Sequence, residues 1–271
     1  MDVHNPQTPA PPVGNYEIRL PQHKRHGEPE HYQLSAARLR STQREPPTKP
    51  VQFWFRTRYV SALASEISNL HPHVLGLYIR PSMVANLIAS TIRLLPTFVQ
   101  SRAQTVFPEW FLPDHVILKT QKPGEEKEIM EEYFDIEIKA YTRLKPLQGV
   151  VIPRFYGCVR YNGTRAMILE HLGGISLASP EGAMLRLEEL STLLQPCFRA
   201  LHAFDVHQDD SNLSNFQLVD GRIMVLDLES AVFHYSADDR AFFLASSIGH
   251  LADTYLAMQA YYWHEGSLEA A

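Results

Sequence analysis

The dipeptide Asp220-Gly221 stands between two short apolar runs, Phe216–Val219 and Ile223–Leu228. An Asp-Gly pair so placed is a strong instruction for a two-residue hairpin turn, because both central residues of that turn need positive φ. The turn fixes register: Val219 faces Arg222, and Asn215 comes opposite Leu226, one residue from Asp227. An amide oxygen and a carboxylate therefore reach the same open end of the hairpin. Asp210 lies shortly before Asn215, in a segment too rich in Ser and Asn to be anything but a loop. Asp and Asn are ordinary turn residues one at a time, but three converging oxygen side chains suit Mg²⁺. That ion keeps several waters and takes further ligands from substrate phosphates.

The segment His207–Glu229, with "DDSNLSN" followed by a hairpin ending "VLDLE", resembles the catalytic loop and metal-binding aspartate of the protein-kinase-like fold. In that family the loop reads H-R-D-x-x-x-x-N and a later motif begins with Asp. The resemblance implies Asp210 as catalytic base, with Asn215 and Asp227 as metal ligands. Gln208 and Asp209 stand where the loop's His and Arg would be, and Asp227-Leu228-Glu229 replaces D-F-G. "LKPLQG", "IPRFYG" and "NFQLV" are similar to the wording of divergent kinase-like proteins abundant in filamentous fungi.

Such a fold requires a lysine at the end of an apolar strand, a glutamate on the following helix, then a hairpin leading to a hinge. "HVILK" predicts a strand ending in Lys119, and residues 128–144 carry apolar positions at helical spacing with acids in the first turn. Glu137 lies in that helix and, by the resemblance, pairs with Lys119 and holds it towards the phosphates. Alone, Lys119 reads as a strand-end lysine reaching for water and Glu137 as a solvated helix acid; the order Lys119, Glu137, Asp210, Asn215, Asp227 carries the reading. Asn162-Gly163 predicts a second hairpin, and Glu170-His171-Leu172 after it is the expected hinge. There, backbone groups of Glu170 and Leu172 would meet an adenine edge. A helix over about 185–204 carries one apolar stripe and contains Pro196.

The expected fold class is α+β: a bilobal protein-kinase-like fold with a strand-rich small lobe, a truncated helical second lobe and a helical N-terminal extension. Residues 1–50 read as a flexible Pro-rich tail, 51–106 as a largely helical extension, 107–172 as the small lobe and 173–271 as the large one. Residues 83–99 read as an amphipathic core helix, too short and too interrupted by Arg93 and Pro96 to span a bilayer. The segment before Lys119 has no glycine-rich loop, the nearest upstream glycine being Gly76. Either Phe107, Trp110 and Phe111 cover the phosphates or nucleotide binding is weak. After Asp227 come positions 228–271 without an A-P-E element, too little to hold a peptide in the ordinary way.

A net charge of −5 gives no footprint for nucleic acid. Cys158 and Cys197 read as buried thiols of a reducing compartment. The first residues lack a basic segment followed by an apolar run, so a cytoplasmic, membrane-free protein is expected. The sequence thus predicts an ATP- and Mg²⁺-dependent phosphotransferase whose partners are nucleotide and an unknown small molecule or protein. A catalytically inactive kinase-like binding module is the alternative.

Overall fold

The computed structural model describes residues 37–39, 47–68, 71–124, 126–265 and 268–270, and shows a mixed α+β chain built on a curled antiparallel sheet. β1 (Ala37–Leu39) is a short strand whose partner comes near the other end of the chain. β2 (Thr48–Phe55) and β3 (Arg58–Glu66) form a hairpin in which buried and exposed residues alternate, as a pleated strand with one covered face requires. β4 (Val74–Ile79) continues the sheet. The chain then leaves it for two helices, α1 (Met83–Arg93) and α2 (Thr97–Val106), broken apart at Pro96. It returns as β5 (His115–Thr120), runs through α3 (Lys127–Arg143), and adds β6 (Phe155–Tyr161) and β7 (Thr164–Glu170).

The sheet order is β2-β3-β4-β5-β7-β6, with every neighbouring pair antiparallel. Its two edges approach each other. The Phe53 ring on β2 lies edge-on to Tyr161 on β6 at 6.3 Å. Gly157, with φ of 143°, would place a side chain 3.1 Å from the Phe55 ring. A side chain there would crowd the ring and strain the backbone at a strand irregularity. The curl encloses Phe53, Phe55, Val60, Leu77, Leu118 and Ile168 with other interior residues. Each large side chain so buried contributes roughly 1.5–3 kcal/mol.

Beyond β7, the short strand β8 (Ile175–Ser176) leads to α4 (Leu187–His202), which contains Pro196. β9 (Val206–Gln208), β10 (Phe216–Val219), β11 (Arg222–Val225) and β12 (Ala231–Phe233) follow, then the long α5 (Ala237–His264) and β13 (Leu268–Ala270), the partner of β1. β10 lies between β11 and β8, and β12 pairs with β9. A second core joins α3, α4 and α5 through Tyr141, Leu144, Leu194, Phe198, Leu251 and Tyr255. The Tyr255 hydroxyl donates to the carbonyls of Gly182 and Leu185 at 2.7 and 3.0 Å, which satisfies buried acceptors in the segment before α4.

Both predicted turns form. Val219 faces Arg222 with φ of 48° and 73° at Asp220 and Gly221, and Tyr161 faces Thr164 across Asn162 and Gly163 at 49° and 80°.

Four expectations are corrected. The 51–106 extension is not largely helical, since β2, β3 and β4 supply three strands of the main sheet before its helices begin. Alternation in "VQFWF" and "RYVSALASE" carries a period of two, which an apolar helix would not produce. Residues 83–99 are not a core helix: Met83, Leu87, Leu94 and Phe98 are exposed, and Ala85 is the buried residue of α1. Cys158 is an exposed free thiol on β6, while Cys197 is buried on α4. Of the expected tail, residues 1–36 and 40–46 lie outside the described residues; Thr48–Pro50 open β2. Among the described residues, no helix is long and apolar enough to cross a membrane.

Candidate functional site

Lys119 stands near the end of β5, a central strand, and its side chain is almost wholly buried. Desolvating an ammonium is costly unless carboxylates replace its water. Two do so: its Nζ donates to Glu137 Oε2 and to Asp227 Oδ1, each at 2.6 Å. Glu137 comes from the inner face of α3, and Asp227 from the end of the β10–β11 hairpin, 108 residues from Lys119 in sequence. Glu229 Oε2 lies 3.9 Å from the same nitrogen. Lys122, in the loop after β5, pairs with Glu229 and lies 3.9 Å from Asp227 Oδ2.

Charge regulation follows from this packing. Burial opposes the Lys119 charge, but Glu137 and Asp227 outweigh it and raise the lysine above its ordinary value. Burial holds Glu137 above the usual carboxylate range, although Lys119 pulls the other way. Asp227 meets the same burial, yet Lys119, with help from Lys122 and His73, draws it below that range. Of Glu137 and Asp227, Glu137 is thus the one that protonates more readily. Its Oε1 is buried with no hydrogen-bond partner.

Asp227 takes a left-handed backbone, φ 52° and ψ 74°, rarely adopted by a residue with a side chain. Gln208, fully buried on β9, donates from Nε2 to the Asp227 carbonyl at 2.7 Å. The Leu226 N–H donates to the Asn215 carbonyl at 2.7 Å, the pairing that the hairpin register requires. These contacts hold the aspartate in its unusual conformation.

Asp210 and Asn215 form a second group. Asn215 Nδ2 donates to Asp210 Oδ2 at 2.9 Å, and the Asn212 N–H donates to Asp210 Oδ1 at 3.1 Å. The structure thus gathers Lys119, Glu137 and Asp227 directly and joins Asp210 to Asn215. Asn215 is linked to the strand that leads to Asp227 through its backbone, while its amide is engaged with Asp210. Glu170 ends β7; its N–H donates to the Arg154 carbonyl at 2.9 Å, and its Oε2 accepts from the Arg154 N–H at 3.0 Å. Leu172 follows in the half-buried link to β8.

Three residues outside the expected set belong here. Glu229 completes a trio with Glu137 and Asp227 whose ligand atoms lie within 4.8 Å of one another, an all-oxygen donor set of the kind Mg²⁺ accepts. The partnerless Oε1 of Glu137 adds an available acceptor. Lys122 adds a second cation, and His73 sits where the turn between β3 and β4 meets β5. The His73 carbonyl accepts from the Thr120 N–H at 2.8 Å. Burial, then Lys119 and Lys122, push its imidazole down to about 4. Only the "DLE" wording marked Glu229 in the sequence as a departure from the family pattern.

The segment that joins β3 to β4, positions 67–73, reads "ISNLHPH" and contains no glycine. Phe107, Trp110 and Phe111 do not provide the cover. Trp110 Nε1 donates to Thr57 Oγ1 at 3.0 Å, and Glu109 is buried against Thr57 and Arg58, at the opposite end of β3 from the turn. The sequence matches no protein-family model and no curated protein.

Proposed function

We propose that the chain is an ATP- and Mg²⁺-dependent phosphotransferase of bilobal, kinase-like architecture, acting on a hydroxyl of a small molecule. The observation that carries the reading is the buried Lys119 nitrogen held between Glu137 on the following helix and Asp227, 108 residues away. A buried cation flanked by carboxylates matches the demand of a triphosphate site, where a lysine meets phosphate oxygens and acids hold metal. The β5 strand bearing Lys119 is preceded in the sheet by the β3–β4 pair. In a kinase-like fold the connection within that pair is the one that covers phosphates.

In this reading Lys119 and Lys122 bind phosphate oxygens, and Glu137 orients Lys119. Asp227 and Glu229, with Asn215 by the family resemblance, would hold Mg²⁺. Bound there, the metal neutralises charge on the transferring phosphoryl group. Backbone groups from Glu170 to Leu172 would meet the adenine edge. Asp210, oriented by Asn212 and Asn215, accepts the proton of the acceptor hydroxyl as its oxygen bonds to the γ-phosphorus. The bond from that phosphorus to the bridging oxygen breaks, and ADP leaves with the electron pair.

One observation favours the inactive binding module instead: the segment joining β3 to β4 lacks the glycines that let a backbone approach phosphates closely. Calorimetric titration with Mg²⁺-ATP, run beside turnover, separates the two. Asp227→Asn should abolish Mg²⁺-dependent nucleotide binding. Asp210→Asn should retain binding and lose turnover by about 10² to 10⁴. A parent protein that neither binds nor hydrolyses millimolar Mg²⁺-ATP sinks the phosphotransferase.

A further inference from the structure

Asp210 also faces outward, onto a cleft of about 730 Å³ between the loop after β9 and one face of α5. Small-molecule sites fall within roughly 300–1,000 Å³. Phe243, Ser246, Ser247, His250 and Thr254 recur at helical spacing along α5 and line one wall. Asp209 and Asp210 line the other, and among the described residues no lysine or arginine lines the cleft.

Its floor includes a nearly inaccessible imidazole. His207 is 2% exposed and stacks on Phe243 at 4.5 Å. Its Nδ1 lies 3.1 Å from His202 Nε2, while its Nε2 stops 3.9 Å from Asp209 Oδ1, beyond hydrogen-bond reach. A ligand hydroxyl placed to the cleft side of these two atoms, at hydrogen-bond distance from each, would bridge them. Burial lowers the His207 pKa against the pull of Asp209, so the ring adds no positive charge near neutral pH. At the rim Phe242 is 68% exposed, an aromatic face turned to water.

We propose that this cleft is the acceptor site and that it takes a small polyhydroxylated compound carrying an ammonium group. The inference rests on the phosphotransferase reading for the reaction, but the binding chemistry comes from the cleft itself. An anionic acceptor would meet two carboxylates and no cation, whereas an ammonium is attracted to both and to the face of Phe242. Serine, threonine and histidine side chains supply the donors and acceptors that a polyol needs. A hydroxyl of that ligand at Asp210 loses its proton to the carboxylate as it receives the γ-phosphoryl group of ATP, leaving a phosphate ester and ADP.

The test uses the full chain and three probes of similar size at low salt: 2-deoxystreptamine, myo-inositol and glucuronate. Calorimetry with each probe is run beside a titration of the same sample with Mg²⁺-ADP. Deoxystreptamine should bind about tenfold more tightly than inositol, and glucuronate should not bind. Asp209→Asn and Phe242→Ala should each weaken deoxystreptamine by about threefold or more and leave Mg²⁺-ADP affinity unchanged. Equal binding of the three probes, preference for glucuronate, or deoxystreptamine binding indifferent to both substitutions overturns the proposal. Nucleotide binding with no deoxystreptamine binding overturns the acceptor class and spares the phosphotransferase. Deoxystreptamine binding without nucleotide binding does the reverse.

Discussion

Lys119 and Glu137 stabilise each other only as a pair. Removing a buried partner leaves the other charge unmatched, which costs more than the pair contributes against an apolar replacement. Lys119→Met should therefore lower stability by about 3 kcal/mol at pH 8. The loss should shrink on acidification, because Glu137, already held above the usual carboxylate range by burial, then takes up a proton. In the variant, the folded state binds more protons than the unfolded state between the unfolded and folded pKa of Glu137, so stability falls as pH rises. The parent's Asp227 behaves oppositely. Its lowered pKa contributes stability above the ordinary carboxylate value and loses it as pH falls through the folded one. Urea unfolding of both proteins at pH 8, 7 and 5 checks the two slopes. A Lys119→Met loss that does not change with pH would mean that Glu137 is not the group left unmatched.

Elements, rather than single side chains, bring the hairpin to the site. Gly174, in the link after β7, lies so close to β10 that an added Cβ would sit 2.4 Å from the Leu218 carbonyl oxygen. Gly174→Ala must push β10 and β11 away, and with them Asn215 and the approach to Asp227. A stability loss of about 1–3 kcal/mol is expected and, under the proposed phosphotransferase function, weaker Mg²⁺-ATP binding, measured by thermal unfolding and calorimetry. Unchanged values for both would show that the hairpin moves freely of the link. The hairpin itself was legible because Asp220-Gly221 states its turn in two residues and sets register without help from the rest of the chain. Lys119 and Glu137 were legible as a strand end and a helical position. β2 to β4 were not, because their alternation lies beside longer apolar runs and joins a sheet completed some hundred positions later. α1 was misread because a helical apolar stripe does not say what covers it. Glu229 and Lys122 were missed because their meeting depends on a loop and a hairpin end brought together only by the tertiary fold.

Across the molecule, imidazoles link stability to acidity. His202, 2% exposed, is pushed down to about 4 by burial, then by His207 and Arg240, and His73 is pushed to about 4 as well. A histidine neutral in the fold but protonated in the unfolded chain contributes stability that is complete above its ordinary value of 6.5 and is lost as pH falls towards 4. Unfolding by urea at pH 7, 6 and 5 should show that decline, and His73→Gln combined with His202→Gln should flatten it. An equally steep decline in the double variant would assign the slope to other groups.

The central place of β5 has a further consequence, for the order in which the molecule assembles. Its partners on the two sides, at Val74 and Met167, are each more than 40 residues from Lys119. The β10–β11 and β6–β7 hairpins close across two residues. Closing long loops is slow relative to forming a hairpin, so the strand that carries the lysine docks after its neighbours have taken shape. Amide exchange should record this. Protons at Ile117 to Lys119 should be released only with global unfolding, while those at the Asp220-Gly221 end of its hairpin exchange through local opening. The lysine nitrogen, already near Glu137 in sequence, therefore meets Asp227 only late in folding, and a partly folded molecule has no complete site to expose.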